Sequence, residues 1–131
     1  GVQEQACWAL RHICAGSEPA GLARRQQAAD AGALAALVRA LDGHRAHAGV
    51  QEQACWALRH ICAGSEPAGL ARRQQAADAG ALAALVRALD GHRAHAGVQE
   101  QACWALRHIC AGSEPAGLAR RQQAADAGAL A

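Results

Sequence analysis

The chain has 131 residues, with thirteen basic and eleven acidic side chains and a formal net charge of +2. A balance this even argues against a nucleic-acid partner, whose protein footprint is a clearly basic surface. No apolar run approaches the ~20 residues that a membrane span requires. Met, Phe, Tyr, Lys, Asn and Thr are absent, and Ala supplies 14 of the first 48 residues, which is the bias expected of GC-rich coding DNA. The missing initiator Met and the lack of a signal segment point to an excised fragment.

Residues 1–48 recur without substitution as 49–96, and residues 97–131 copy 1–35. A fixed period of this size marks a stacked array, in which each unit buries its apolar face against its neighbours. Framed from Ser17, the chain reads as one repeat domain. Residues 1–16 are an orphan third helix, 17–64 and 65–112 are complete units, and 113–131 are a partial one. An enzyme needs different side chains converging on one point, whereas an identical array presents one surface again and again. No catalysis is expected.

In chain order, the first segment is a helix over residues 2–15. At about 100° per residue, Val2, Ala6, Ala9, Leu10 and Ile13 form its core face. Trp8 falls nearly opposite, flanked by Glu4, Arg11 and His12. The largest apolar side chain of the unit therefore points away from its own core. Packing on a neighbouring helix is the plain alternative, but Trp8, Trp56 and Trp104 recur at every third helix and stacking makes them a ladder. Helix axes ~8–10 Å apart would meet an extended peptide at every second or third residue.

Ser17-Glu18-Pro19 then starts a second segment, with Ser17 as a cap and Pro19 in the first turn. It runs over residues 20–31 and stops at Gly32, suited to the left-handed C′ position. Arg24-Arg25 reads as a solvated flank of that helix, with a rim contact to an acidic partner as the alternative. The third segment carries Leu34, Leu37, Val38 and Leu41 at helical spacing and ends at Asp42-Gly43. A polar loop over residues 44–49 leads back to the Trp-bearing helix, whose only cap in sequence is the weak Gly49.

Cys7 and Cys14 lie seven residues apart on one helix, ~10.5 Å along the axis, beyond the reach of a disulfide. They read as buried structural thiols, which places the chain in a reducing cytoplasm or nucleus. His12 and Cys14, taken with the loop pair His44 and His47, lack compact zinc-ligand spacing. No metal or cofactor is expected.

The string Val50-Gln51-Glu52-Gln53-Ala54-Cys55-Trp56-Ala57-Leu58-Arg59-His60-Ile61 resembles the third helix of an armadillo repeat. Asp30-Ala31-Gly32-Ala33-Leu34-Ala35-Ala36-Leu37-Val38 resembles the junction between that family's first two helices. The resemblance implies an all-α fold, an armadillo-like right-handed α-solenoid of stacked three-helix repeats. It further implies a concave groove lined by third helices, in which an extended polypeptide is held. In the family a Trp forms side-chain pockets and an Asn one turn later bonds the ligand backbone. Trp8, Trp56 and Trp104 match the Trp, whereas His12, His60 and His108 replace the Asn and make binding pH-sensitive between pH 5 and 7.5. Arg11, Arg59 and Arg107 stand between them and favour an acidic ligand over a basic one. The expected peptide-binding set is Glu4, Trp8, Arg11, His12, Glu52, Trp56, Arg59, His60, Glu100, Trp104, Arg107 and His108.

Two other functions compete with this reading. One is a self-assembling scaffold without a ligand, joined head to tail because Leu10 and Ile13 at one end and Leu118 and Leu130 at the other face water. The other is single-stranded nucleic acid stacked on the Trp ladder, disfavoured by the weak charge.

Overall fold

The computed structural model describes residues 1–16, 18–64, 66–111 and 115–128. Eight helices are described: α1 (Val2–Ile13), α2 (Pro19–Asp30), α3 (Ala33–Gly43), α4 (Ala48–Ile61), α5 (Pro67–Asp78), α6 (Ala81–Gly91), α7 (Ala96–Cys110) and α8 (Pro115–Asp126). Each helix packs on its copy in the next repeat. The Trp-bearing helices α1, α4 and α7 form one row, α2, α5 and α8 a second, and α3 with α6 a third. The result is an all-α solenoid with its core between the rows.

The apolar periodicity sorts the faces as the sequence predicts. In the middle copy Val50, Ala54, Ala57, Leu58 and Ile61 are all buried. On α1 the same stripe is open, with Val2 83% and Ile13 49% exposed, against 2% for Val50 and 0% for Ile61. Leu118 is exposed on α8, and Leu10 is half-buried. Leu130 lies outside the described residues, as do Ser17 and Ser65, so the expected serine cap falls there too. The residue preceding α2 is Glu18, with Pro19 opening the helix.

Two local expectations are corrected. The Trp-bearing helices α4 and α7 begin two residues earlier than predicted, and Gly49 is not their cap. His47 caps α4, its Nδ1 accepting from the Val50 backbone N–H at 3.2 Å, and His95 does the same for Val98. An imidazole lone pair replaces the usual side-chain oxygen at one of the orphan amides of a helix start. Gly32 behaves as expected. Its φ of 90° lies in the left-handed region, and its N–H closes α2 by bonding to the Ala29 carbonyl at 3.0 Å.

The second correction concerns Arg24-Arg25, which does not form a solvated flank. A helix end leaves its last carbonyls without partners, and these arginines supply them for α1. Arg24 Nε donates to Ile13 O at 2.7 Å and Arg25 Nε to Cys14 O at 2.9 Å, while Arg25 Nη2 reaches Gly16 O at 2.6 Å. In the middle copy Arg72 takes Ile61 O at 2.8 Å and Ala63 O at 3.3 Å, and Arg73 takes Cys62 O at 3.2 Å. Arg72 also bonds Glu66 and reaches back one repeat to Gln26 Oε1 at 2.8 Å. Arg120 repeats that backward bond to Gln74 at 2.9 Å. Arg25, Arg72, Arg73 and Arg120 are buried in consequence. Their fixed fork of donors meets several carbonyl oxygens, which offsets part of the cost of burying the charge; burial, followed by the charge of Arg72, still lowers Arg25.

The three copies form an internal experiment. Arg72 is 2% exposed and bonded across the repeat boundary, whereas its copy Arg24 is 39% exposed. Arg72→Met is expected to cost roughly 2–4 kcal/mol, because buried carbonyls lose charge-assisted donors. Arg24→Met should cost less than about 1 kcal/mol, since water can replace its bonds. Urea denaturation of both variants checks this, and equal costs would refute the capping account.

Candidate interaction surface on the third helices

The row of α1, α4 and α7 carries every residue of the expected binding set. None of the three indoles belongs to the buried core: Trp8 is 47% exposed, and Trp56 and Trp104 are half-buried. Their half-burial comes from the neighbouring repeat. The guanidinium of Arg11 lies over the Trp56 ring, 3.2 Å from its centroid, and that of Arg59 lies over Trp104 at 4.6 Å. Each arginine thus stacks on the indole of the following repeat, a cation–π contact worth about 0.5–1 kcal/mol when exposed and more when desolvated. Arg107 lies over its own Trp104 at 4.7 Å.

Glutamines hold these arginines in place. Arg11 Nη1 donates to Gln53 Oε1 at 3.0 Å, and Arg59 Nη1 to Gln101 Oε1 at 3.0 Å. Sequence reasoning missed these residues. The signal was their position three residues before each Trp, which puts them on the same side of the helix.

The histidines also lie along this face. The His12 ring sits 4.1 Å from the Trp8 ring, and His108 stacks on Trp104 at 5.8 Å. Burial, followed by the charges of Arg59, Arg25 and Arg11, pushes His60 down to about 4, and His108 is lowered for the same reasons with Arg73 the leading charge. His60 is therefore neutral throughout pH 5–7.5. This overturns, for that residue, the expectation of a titration in that window.

The acidic members of the set divide. Glu4 and Glu52 turn toward the first turn of the next Trp-bearing helix. A Cβ at Gly49 would stand 2.6 Å from the Glu4 carboxylate, and one at Gly97 2.5 Å from Glu52 Oε1, so glycine makes room for each acid there. Their oxygens lie 3.8 and 4.0 Å from His47 Nε2 and His95 Nε2. A carboxylate at a helix N-terminus is favoured by the helix dipole. Glu100 is exposed.

All six cysteines are free. Burial pushes Cys55 and Cys62 up to about 12, so they are packing groups rather than nucleophiles.

A family model for the armadillo/beta-catenin-like repeat matches residues 23–63 and 71–111, more than half of the chain. The chain belongs to the armadillo-repeat family. Comparison with curated proteins and with solved structures gives no match. Armadillo repeats generally serve as protein-binding scaffolds and are typically non-enzymatic. Among the described residues, no helix of this armadillo chain is long and apolar enough to cross a membrane.

The lowered His60 has a consequence for stability. The unfolded state, with imidazole near its reference value of ~6.5, binds a proton that the folded state refuses until about pH 4. Stability tied to His60 is therefore present above about pH 6.5 and is lost as pH falls toward 4. His60→Asn should flatten that part of the profile. Denaturant midpoints at pH 7 and pH 5 check it: a variant that loses as much on acidification as the parent would contradict the assignment.

Proposed function

We propose that this armadillo chain is a non-enzymatic binding module that holds an extended polypeptide of acidic or mixed character along its Trp/Arg/His face. The observation that carries the reading is the pairing of Arg11 with Trp56 and of Arg59 with Trp104 across repeat boundaries, outside the core. Solenoids place large aromatic groups on a solvent-accessible face at a cost in solubility, and aromatic and arginine side chains are the commonest anchors of protein interfaces. Each anchor here is pre-ordered, because the guanidinium is held by an indole and by a glutamine. A side chain already fixed loses little entropy when a ligand arrives. Neutral His60 offers one donor and one acceptor to a ligand backbone. The groups belonging to this site are Trp8, Arg11, His12, Trp56, Arg59, His60, Trp104, Arg107 and His108, with Glu4, Glu52 and Glu100 along its margin.

Trp56→Ala is the informative change. Its ring lies under the Arg11 guanidinium and is not part of the buried core, so peptide affinity should fall by about 2 kcal/mol or more while helicity is retained. Calorimetry and circular dichroism on the same sample measure both. A loss of helix content that matches the loss of affinity would make Trp56 a packing residue.

A further inference from the structure

We propose that the joint between consecutive repeats is a proton-operated latch, in which His47 and His95 exchange a helix cap for an ion pair with Glu4 and Glu52. The device lies at the seams of the array and does not depend on any ligand.

Hydrogen-bond chemistry fixes the starting state. His47 Nδ1 accepts from the Val50 N–H at 3.2 Å, and His95 Nδ1 accepts from the Val98 N–H at the same 3.2 Å. A ring nitrogen accepts only through a free lone pair, so both rings are neutral in this state and carry their proton on Nε2. That Nε2 faces an acid of the preceding Trp-bearing helix, 3.8 Å from Glu4 Oε1 for His47 and 4.0 Å from Glu52 Oε1 for His95. The acid is already seated against the first turn, with Gly49 making room for Glu4 and Gly97 for Glu52. Each imidazole thus stands between an amide that needs its lone pair and a carboxylate that favours its charge.

Protonation cannot satisfy both neighbours. A proton on Nδ1 points a donor at the Val50 N–H and puts a cation at the positive end of a helix, where it is disfavoured. The same proton strengthens the attraction to Glu4, for which a charge-assisted contact of ~2.8 Å is optimal. The capped form therefore holds fewer protons than the uncapped one. The cap is present at neutral pH and is lost as acid carries free imidazole through its reference value of ~6.5.

The other charges at the two joints are few. His95 shares a cleft with Asp90, His92 and Arg93, of which Arg93 and Asp90 pair at 3.8 Å. Glu52 also acts on Arg11 of α1. At the earlier joint His44 and Arg45 occupy the loop, and the amino terminus approaches Glu4 at 4.0 Å. The loop arginines oppose protonation, and the two glutamates favour it. His92 gives an internal contrast. Its Nε2 donates to the Arg45 carbonyl at 2.7 Å, a bond that an imidazolium also makes. Acid therefore leaves the loops joined while the helix starts let go.

Nitrogen-15 NMR and hydrogen exchange on the full chain test the latch. Between pH 7.5 and pH 5 both rings should pass from the neutral Nε2–H form to the doubly protonated one. Protection of the Val50 and Val98 amides should fall about fivefold relative to Leu58, the factor that one helix cap contributes. His47→Asn keeps an acceptor that does not titrate, so Val50 should lose its pH response while Val98 retains it. Glu4→Gln removes the partner of the charged ring and should move the Val50 response to lower pH. Rings that stay neutral at pH 5, or amides that ignore their protonation, would overturn the proposal. So would a Val50 response unchanged in His47→Asn, or a midpoint unmoved in Glu4→Gln. Because Val98 reports on an unaltered joint in the same molecule, a misfolded variant cannot imitate the expected result.

Discussion

Every Trp-bearing helix ends on carbonyls that it cannot satisfy, and the two adjacent arginines of the following helix satisfy them. Arg72 joins Ile61, Ala63, Glu66 and, one repeat back, Gln26. One side chain therefore ties α5 both to the end of α4 and to α2 of the preceding repeat. The loop it closes needs a close backbone approach: a Cβ at Gly69 would stand 2.7 Å from the Gly64 carbonyl oxygen. Burial of Leu58, Ile61, Leu82 and Leu85 supplies most of the driving force, as apolar burial does in any domain. It is non-directional, and it does not choose the corner.

With the corner set, the third helices lie side by side in one sense, and the consequence appears on their outer face. Arg11 of α1 meets on α4 the copy of Trp8, the residue three positions before it in its own helix, and Arg59 of α4 does the same on α7. Arg11 then finds Trp56, and Arg59 finds Trp104. Arginine serves two distinct purposes in this chain. Those of the first helices are caps, buried at Arg25, Arg72, Arg73 and Arg120. Arg11 and Arg59 of the third helices are instead held at one edge by a glutamine and over one face by an indole. The same guanidinium chemistry thus builds the array in one row and forms its candidate contact surface in another.

Much of this was legible in the sequence. The stripe of Leu34, Leu37, Val38 and Leu41 gave α3 directly, and the position of Trp8 opposite Leu10 and Ile13 placed the indoles outside the core. Gly32 ended α2 as its conformational freedom suggests. What could not be read were relations between elements. Arg24 and Arg25 look like surface charge in one dimension, because their acceptors are main-chain carbonyls that carry no sequence signature. His47 was missed as a cap since the usual caps are Ser, Thr, Asp and Asn, and its ring nitrogen acts through geometry. Glu4 lies on the Trp side of its helix, yet the glycine of the next helix draws it to the seam between repeats. His60 illustrates the same limit: imidazole chemistry is known from the residue type, but its protonation depends first on burial and then on the charges of Arg59 and of Arg25, which comes from another row.

The central claim is that the three indoles form the working face of the solenoid. The chain has no Tyr or Phe and three Trp, all on the third helices, so its intrinsic emission comes from that face. Titration of an acidic extended peptide followed by Trp emission is therefore the most direct measurement. The account predicts a saturable change in emission that tracks occupancy and shrinks when Trp56 or Trp104 is replaced by Phe. Unchanged emission at concentrations where calorimetry records saturation would place the ligand elsewhere and contradict the account.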